Sequence, residues 1–296
     1  MKFLNLRVSQ EPFKAPPSPA EISADMLTHD ATGPISIRAI NNLHENVKLR
    51  VYRGLLSAGL LADFNIDPIT HHGQGNNPSV EVTALPNSGL VKIFVLAPSG
   101  VEDPIVTLEI SDNTFNSIDL NLLVLNHPDS SRFAINVDPD GLPTMYGTVR
   151  RNLDEEQKAM QYGLAPGQIR AGLSGSKLVL NQLETFLAMM GHRAYYLEPL
   201  TYFSAWVFER RGFAYVRGHK LMDEIHTAFQ PGGQLHAALD ASTPFRQPDQ
   251  WKTVRGRAWA IHDGILDVLD ERWDNLRMVK QLGKSADVVT FPESIY

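Results

Sequence analysis

Residues 202–217 read YFSAWVFERRGFAYVR, and this stretch decides how the second half of the chain is organised. Apolar residues recur at helical spacing up to Glu209-Arg210-Arg211, and Gly212 after them is a typical helix stop. Phe213–Arg217 then has the composition of a strand. The stretch therefore predicts a helix over Tyr202–Arg211 that leads directly into a strand.

The segments before this stretch predict another helix and another strand. Ser176–Met190 has the helical period, with Gly191 as its stop. Its apolar positions are Val179, Leu183, Phe186, Leu187 and Met190. His192–Glu198 contains Tyr195 and Tyr196 and ends before Pro199, which predicts a strand.

The first half of the chain is rich in short apolar segments separated by proline, glycine, asparagine and aspartate, and this pattern predicts strands. The predicted strands are Ile35–Ile40, Val47–Leu56, Ser79–Ala84, Leu90–Leu96, Ile105–Ile110, Ile118–Leu125 and Arg132–Val137. Ser57–Asp67 fits a short helix instead, and helices are also predicted over Leu153–Gly163 and near Ile261–Trp273. The fold class predicted is α+β, with a mixed, largely antiparallel sheet flanked by helices.

The composition of the 296 residues limits the function classes. The absence of cysteine excludes disulfides, thiolate metal sites and cysteine nucleophiles. A net charge of −6 argues against a general nucleic-acid-binding surface. No secretory signal and no uncharged apolar run of membrane-spanning length is visible, so a cytoplasmic protein without a membrane partner is expected.

A glycine-rich turn, Arg170-Ala171-Gly172-Leu173-Ser174-Gly175-Ser176, opens the Ser176–Met190 helix. Such a turn leaves backbone N–H groups free at the positive end of the helix dipole, which suits a pyrophosphate. Simple helix capping also explains the same residues and is the favoured interpretation of the turn taken by itself, and the sequence leaves both interpretations open.

The succession of glycine-rich turn, long helix, strand, short helix and final strand resembles the acyl-CoA N-acyltransferases of the GNAT superfamily. Arg170–Gly175 aligns with the phosphate loop, (Q/R)-x-x-G-x-(G/A), and Ala205–Phe213 aligns with A-x-x-x-Y-E-x-x-G-F. The likeness covers roughly residues 130–217. It implies an acyl-CoA donor, acetyl-CoA first, and a small-molecule or protein amine as acceptor, with direct attack and no metal. The cofactor-binding residues implied are Arg170, Gly172, Leu173, Ser174, Gly175 and Ser176.

Two positions depart from the family pattern. Leu173 stands at the first glycine of the phosphate loop, and Phe208 stands where many members have the tyrosine that protonates the departing thiolate. A phenyl ring cannot donate a proton. The alternative is therefore a non-catalytic protein of the same fold that binds a ligand or a protein partner. For an enzyme, the resemblance implies a base near the split of the sheet, with Glu198, Glu109 and Asp138 as candidates.

The resemblance also organises the chain into four parts. Residues 1–32 form a proline-rich extended arm, 33–130 a β-rich region that can belong to the same sheet, 131–220 the GNAT-like core and 221–296 a C-terminal extension. These additions are compatible with a homodimer.

Three further patterns have ordinary interpretations beside functional ones. His71 and His72 adjoin in a polar loop and offer a weak metal site. Asp138–Gly141 fits a turn better than a calcium loop. The basic and aromatic segment Trp251–Trp259 fits an interface or the edge of the core better than a nucleic-acid contact.

Overall fold

The structure is a computed structural model that describes residues 33–73, 77, 79–97, 101, 103–145, 147, 149–173 and 175–296. The arm predicted over residues 1–32 lies outside the described residues, as do Ser174 and part of the loop that follows His72.

Seven strands form one mixed sheet, which confirms the predicted α+β fold class. In chain order the strands are β1 (Val80–Thr83), β2 (Leu90–Val95), β3 (Val106–Asp112), β4 (Ile118–Leu125), β5 (Ala194–Leu197), β6 (Ala214–Arg217) and β7 (Arg277–Gln281). Their order across the sheet is β1-β2-β3-β4-β5-β7-β6. Neighbouring strands run antiparallel except β4 and β5, which pair in parallel.

Nine α-helices are assigned in the described part of the chain. They are α1 (Ile37–Asn41), α2 (Glu45–Arg53), α3 (Ala58–Asp63), α4 (Leu153–Tyr162), α5 (Ser176–Met189), α6 (Tyr202–Arg210), α7 (His219–Ala228), α8 (Gln234–Ala237) and α9 (Val254–His262). The predicted helices over 153–163, 176–190 and 202–211 are confirmed to within two residues at each end. Gly163 and Gly212, with φ of +94° and +81°, follow two of them, because glycine adopts the left-handed conformation that ends a helix.

The two faces of the sheet differ in burial, since Val91, Ile93 and Val95 of β2 are fully buried whereas the alternate residues are only partly buried. On the more buried face, Gln182 of α5 donates to the carbonyl of Gly54 at 2.7 Å, and the rings of Tyr52 and Phe186 lie 6.4 Å apart, so α2 and α5 pack together. On the other face, Lys92 of β2 forms an ion pair with Glu109 of β3 at 2.7 Å.

Two predicted strands near the start of the described chain are wrong, because 35–40 and 47–56 contain α1 and α2. The Ser36 hydroxyl accepts from the backbone N–H of Ala39 and caps α1. Lys48, Val51 and Tyr52 are the buried residues of α2, and their i, i+3, i+4 spacing belongs to a helix. The β-branched residues of both segments favour strands, but the cap of α1 and the spacing of the buried residues in α2 stabilise helices instead.

Two later predictions are also wrong. The segment 132–137 contains no strand and instead runs irregularly, with Phe133 N–H donating to the carbonyl of Ile169 at 2.9 Å. The helix near Ile261–Trp273 is placed too late, since α9 ends at His262. Gly264, at φ +80°, then starts a 3-10 helix over Ile265–Leu269.

In the parts of the chain described above, no helix combines the length and the apolar character needed to cross a lipid bilayer.

Candidate functional site

A cavity of about 680 Å³ lies where β4 and β5 diverge. β5 pairs with β4 only from Ile118 to Leu120, so from Asn121 onward this edge of β4 borders the cavity instead of a strand. Every residue from Leu120 to Asn126 lines it. The cavity therefore runs along the edge of β4 at this split.

The N-terminus of α5 forms one wall of the cavity. Gly175 is its N-cap residue and has no side chain to accept a hydrogen bond from the first turn. Ser176 lines the cavity, and its hydroxyl accepts from Arg211 Nη2 at 2.9 Å and Nε at 3.2 Å. A guanidinium beside the positive end of a helix dipole is electrostatically unfavourable unless an anion lies with it. This wall therefore suits an anionic group.

The loop before α5 contributes Arg170, Gly172 and Leu173 to the cavity lining. Arg170 is largely occupied, because it pairs with Asp103 at 2.8 Å and donates to the carbonyl of Ser130. A Cβ on Gly172 would lie 3.5 Å from its nearest neighbours, an ordinary contact, so packing does not require glycine there. Gly175 also has room for a Cβ, and Ser174 is outside the described residues.

Positive charge dominates the cavity wall. Arg210, Arg211 and Arg255 line it, and none has a carboxylate within 4.0 Å among the described residues. The carboxylate of Glu198 also lines it, but that side chain is 62% exposed and pairs with Arg277 at 3.1 Å. Three arginines without a carboxylate partner beside one cavity favour a ligand with several negative charges.

The three candidate bases lie in different surroundings. Glu198 borders the cavity at the end of β5. Glu109 is not a lining residue. Its carboxylate accepts a hydrogen bond from the side-chain amide of Asn121, which does line the cavity, at 3.3 Å. Asp138 is not among the lining residues, and its carboxylate accepts from the N–H groups of Asp140 and Leu142. Asp138 thus stabilises the predicted turn, and these hydrogen bonds, led by that from Leu142, hold its pKa below the usual value.

Phe208 lines the cavity and packs edge-to-face on Phe213, with ring centroids 5.1 Å apart. Tyr195, Tyr196 and Tyr202 do not substitute for it, because none of them is among the lining residues. Burial raises the pKa of Tyr202 to about 12, although the nearby Arg257 lowers it. None of these three hydroxyls is placed to protonate a group in the cavity.

A second small core lies next to the cavity and shares the lining residue Leu164 with it. It is formed by Ile135, Ala159, Leu164, Ile169, Phe245 and Trp259. Trp259 Nε1 of α9 donates to the carbonyl of Leu164 at 2.8 Å. Beside it, the buried Glu156 accepts from Arg151 Nε at 2.8 Å and lies 3.3 Å from His262 Nε2. These contacts join the segment between β4 and α5 to the C-terminal part of the chain.

Four residues of the cavity lining have no counterpart in the predicted site. Phe203, Trp206, Arg255 and Tyr296 all line the cavity. The segment Trp251–Trp259 had the right composition, basic and aromatic, but composition alone does not show that Arg255 and Tyr296 meet α6.

The histidine pair shows no metal-site geometry. Burial, with a contribution from Arg53, lowers the pKa of His71 to about 4. Among the described residues, no three histidine, aspartate or glutamate side chains are grouped as a metal ion would require.

The chain matches no protein-family model, and no curated protein or solved structure is significantly similar to it.

Proposed function

We propose that this protein binds an acyl-CoA in the cavity between β4 and β5 and transfers the acyl group, with acetyl as the first candidate, to an amine. The observation that carries the proposal is that, among the described residues, no strand pairs with the edge of β4 that borders the cavity from Asn121 onward. An extended ligand with amide groups can hydrogen-bond to such an edge as a further strand would. The pantetheine arm of CoA has this chemistry.

The charges beside this edge fit the rest of the donor. Arg211 and the first turn of α5 supply donors for a pyrophosphate at the inner wall. Arg210 and Arg255 add two more positive charges on the outer side. The motif resemblance to the GNAT superfamily supports the same assignment.

The proposed reaction needs no covalent enzyme intermediate. The neutral amine attacks the thioester carbonyl carbon, the C–S bond breaks and the thiolate leaves as the amide forms. The ammonium proton goes to water or to a carboxylate, for which Glu198 at the cavity is the best placed of the three candidates. The thiolate takes a proton from solvent, because Phe208 has none to give.

Isothermal titration of the purified chain with acetyl-CoA and with CoA tests the proposal. We expect micromolar dissociation constants, and at least tenfold weaker binding for Arg211→Gln, since a charge-assisted contact to phosphate is lost. Arg193→Gln, an exposed arginine outside the cavity, is the matched control. The absence of heat at millimolar ligand from a folded protein would refute the assignment.

The second candidate function is a non-catalytic protein that binds the same class of ligand, and Phe208 is the observation that favours it. Thiol release in the presence of a panel of amines separates the two. Release above the uncatalysed rate indicates a transferase, whereas binding without release across the panel indicates a ligand-binding protein.

A further inference from the structure

Aromatic rings and guanidinium groups alternate along the outer rim of the cavity. We call this group the rim clamp, and its members are Phe203, Trp206, Arg210, Arg255 and Tyr296. The rings of Trp206 and Tyr296 stack at 5.7 Å with an interplanar angle of 23°. The guanidinium of Arg255 lies 4.1 Å from the centre of the Tyr296 ring, and that of Arg210 lies 5.0 Å from Trp206.

Part of the hydrogen-bonding capacity of the rim clamp is not used by the described protein atoms. Arg210 Nη2 donates to Ser294 Oγ at 3.0 Å, but Arg255 Nε is shielded from solvent and has no hydrogen-bond partner among them. Neither Arg210 nor Arg255 has a carboxylate within 4.0 Å in the described chain. Tyr296 is 65% exposed as a residue, although its ring already contacts Trp206 and the guanidinium of Arg255.

We propose that the rim clamp binds the base and the adjacent phosphate of a nucleotide. A planar base can stack on the guanidinium of Arg255 and pack against the exposed part of Tyr296, as guanidinium and aromatic groups do with bases in nucleic-acid complexes. A phosphate beside that base can take the free donors of Arg255 and Arg210. An uncharged aromatic ligand would leave both guanidinium groups uncompensated.

The inference rests on the proposed function in one respect, because it assigns the rim clamp to the nucleotide end of the donor. The inference also goes beyond the proposed function. Arg255 and Tyr296 belong to residues 221–296, which the motif resemblance does not cover. The C-terminal extension thereby becomes a direct part of the ligand site.

Titrations with two fragments of the donor test the assignment. Adenosine 3′,5′-diphosphate is the nucleotide end, and S-acetylpantetheine lacks it. We expect Arg255→Gln and Tyr296→Ala each to weaken binding of the diphosphate about tenfold or more, the usual effect of losing one stacked base or one phosphate contact. Both variants should bind S-acetylpantetheine as the unaltered protein does. Tyr296→Phe, which retains the ring, should keep the affinity for the diphosphate.

The outcomes separate this inference from the proposed function. If acetyl-CoA binds and neither Arg255→Gln nor Tyr296→Ala weakens it, the rim clamp assignment fails and the proposed function stands. If the diphosphate binds through the clamp but S-acetylpantetheine and acetyl thioester turnover are absent, the clamp stands and the acyl-transfer proposal fails. Thermal unfolding of each variant verifies folding, and Arg193→Gln serves as the charge control.

Discussion

Arg211 and Ser176 join the end of α6 to the start of α5, with the guanidinium of Arg211 donating to the Ser176 hydroxyl at 2.9 and 3.2 Å. The contact holds a positive charge at the positive end of the α5 dipole. The guanidinium and the positive end of the α5 dipole repel each other, whereas Arg211, as the C-cap residue of α6, interacts favourably with the negative end of that helix. An anion beside Ser176 would relieve the repulsion with α5.

Ser176→Asp should therefore stabilise the free protein while weakening ligand binding. A carboxylate in the first turn of α5 interacts favourably with the helix dipole, by about 0.3–1 kcal/mol, and pairs with Arg211. The same charge repels a phosphate, and we expect affinity for acetyl-CoA to fall about tenfold or more. Urea unfolding and isothermal titration measure the two effects. Ser176→Asn is the neutral control, and a variant that loses stability and affinity together would contradict this account.

Gly212→Ala should destabilise the protein more than the backbone conformation alone requires. Gly212 has φ +81°, and a Cβ there would lie 2.8 Å from Ser285 Oγ and 2.9 Å from Lys280 Nζ. Gly232, at φ +89° with nothing within 4 Å, is the matched control for the left-handed conformation. We expect Gly232→Ala to lower the free energy of unfolding by about 1–2 kcal/mol. Gly212→Ala should lower it by about 1–3 kcal/mol more, because of the added steric conflict. Equal losses in urea unfolding would show that the neighbours move aside freely.

Glu156 should make the protein sensitive to acid. Its burial would raise the pKa of the carboxyl, but hydrogen bonds from His262 and Arg151 outweigh burial and hold the pKa below the ordinary 4.5. A carboxyl with a lowered pKa stabilises the fold above its unfolded pKa, and the stabilisation is lost as pH falls through its folded pKa. Glu156→Gln should therefore flatten the decline of the unfolding free energy below pH 4.5. At neutral pH the Glu156→Gln substitution should lower the free energy of unfolding by about 3 kcal/mol, since a buried ion pair is broken.

Asp154→Asn, an exposed carboxylate on the same helix, is the control for Glu156. It removes the same charge without touching Arg151 or His262, so its pH profile should parallel that of the unaltered protein. If the stability–pH profile of Glu156→Gln also parallels that of the unaltered protein, the ion pair of Glu156 is not the cause of the loss of stability in acid.

The sequence predicted the elements whose signals are local. Gly191 and Gly212 mark helix ends because glycine adopts their left-handed conformation most readily, and the buried stripe of α5 is visible as a 3.6-residue period. The helices α1 and α2 were missed because their β-branched residues carry a strand preference that packing overrides. The contact of Tyr296 with Trp206 joins residues 90 positions apart, and no local pattern encodes it.

The candidate site was predictable in its loop but not in its charges. The turn before α5 was identified from its glycines, yet the sequence could not show that Arg170 is occupied by Asp103 while Arg211 and Arg255 have no carboxylate partner. All three are arginines, and their roles differ only through neighbours that the fold supplies. Asp138 was likewise a plausible carboxylate whose hydrogen bonds to its own turn place it in a structural role.

Phe208→Tyr tests whether the missing proton donor limits the proposed reaction. The ring of Phe208 already borders the cavity, so a para hydroxyl adds a donor with little change in packing. If the thiolate leaves slowly for want of a proton, the turnover number should rise, with a ceiling of about 10²–10⁴-fold for a positioned general acid. The affinity for acetyl-CoA should be nearly unchanged, because the new hydroxyl donates its proton only while the C–S bond is breaking and not when the thioester binds.

Phe203→Tyr is the matched control for Phe208→Tyr, since it adds the same hydroxyl to another cavity-lining ring of α6. The measurement is the initial rate of thiol release at saturating acetyl-CoA with a panel of amines, together with the dissociation constant of the donor. A higher rate of thiol release for Phe208→Tyr but not for Phe203→Tyr would show that the thiolate departs beside position 208. The chain would then be a transferase that lacks the general acid for the departing thiolate. Retained binding with no turnover in either variant would show that the absent donor is not what limits transfer, and the ligand-binding function would then be the better account.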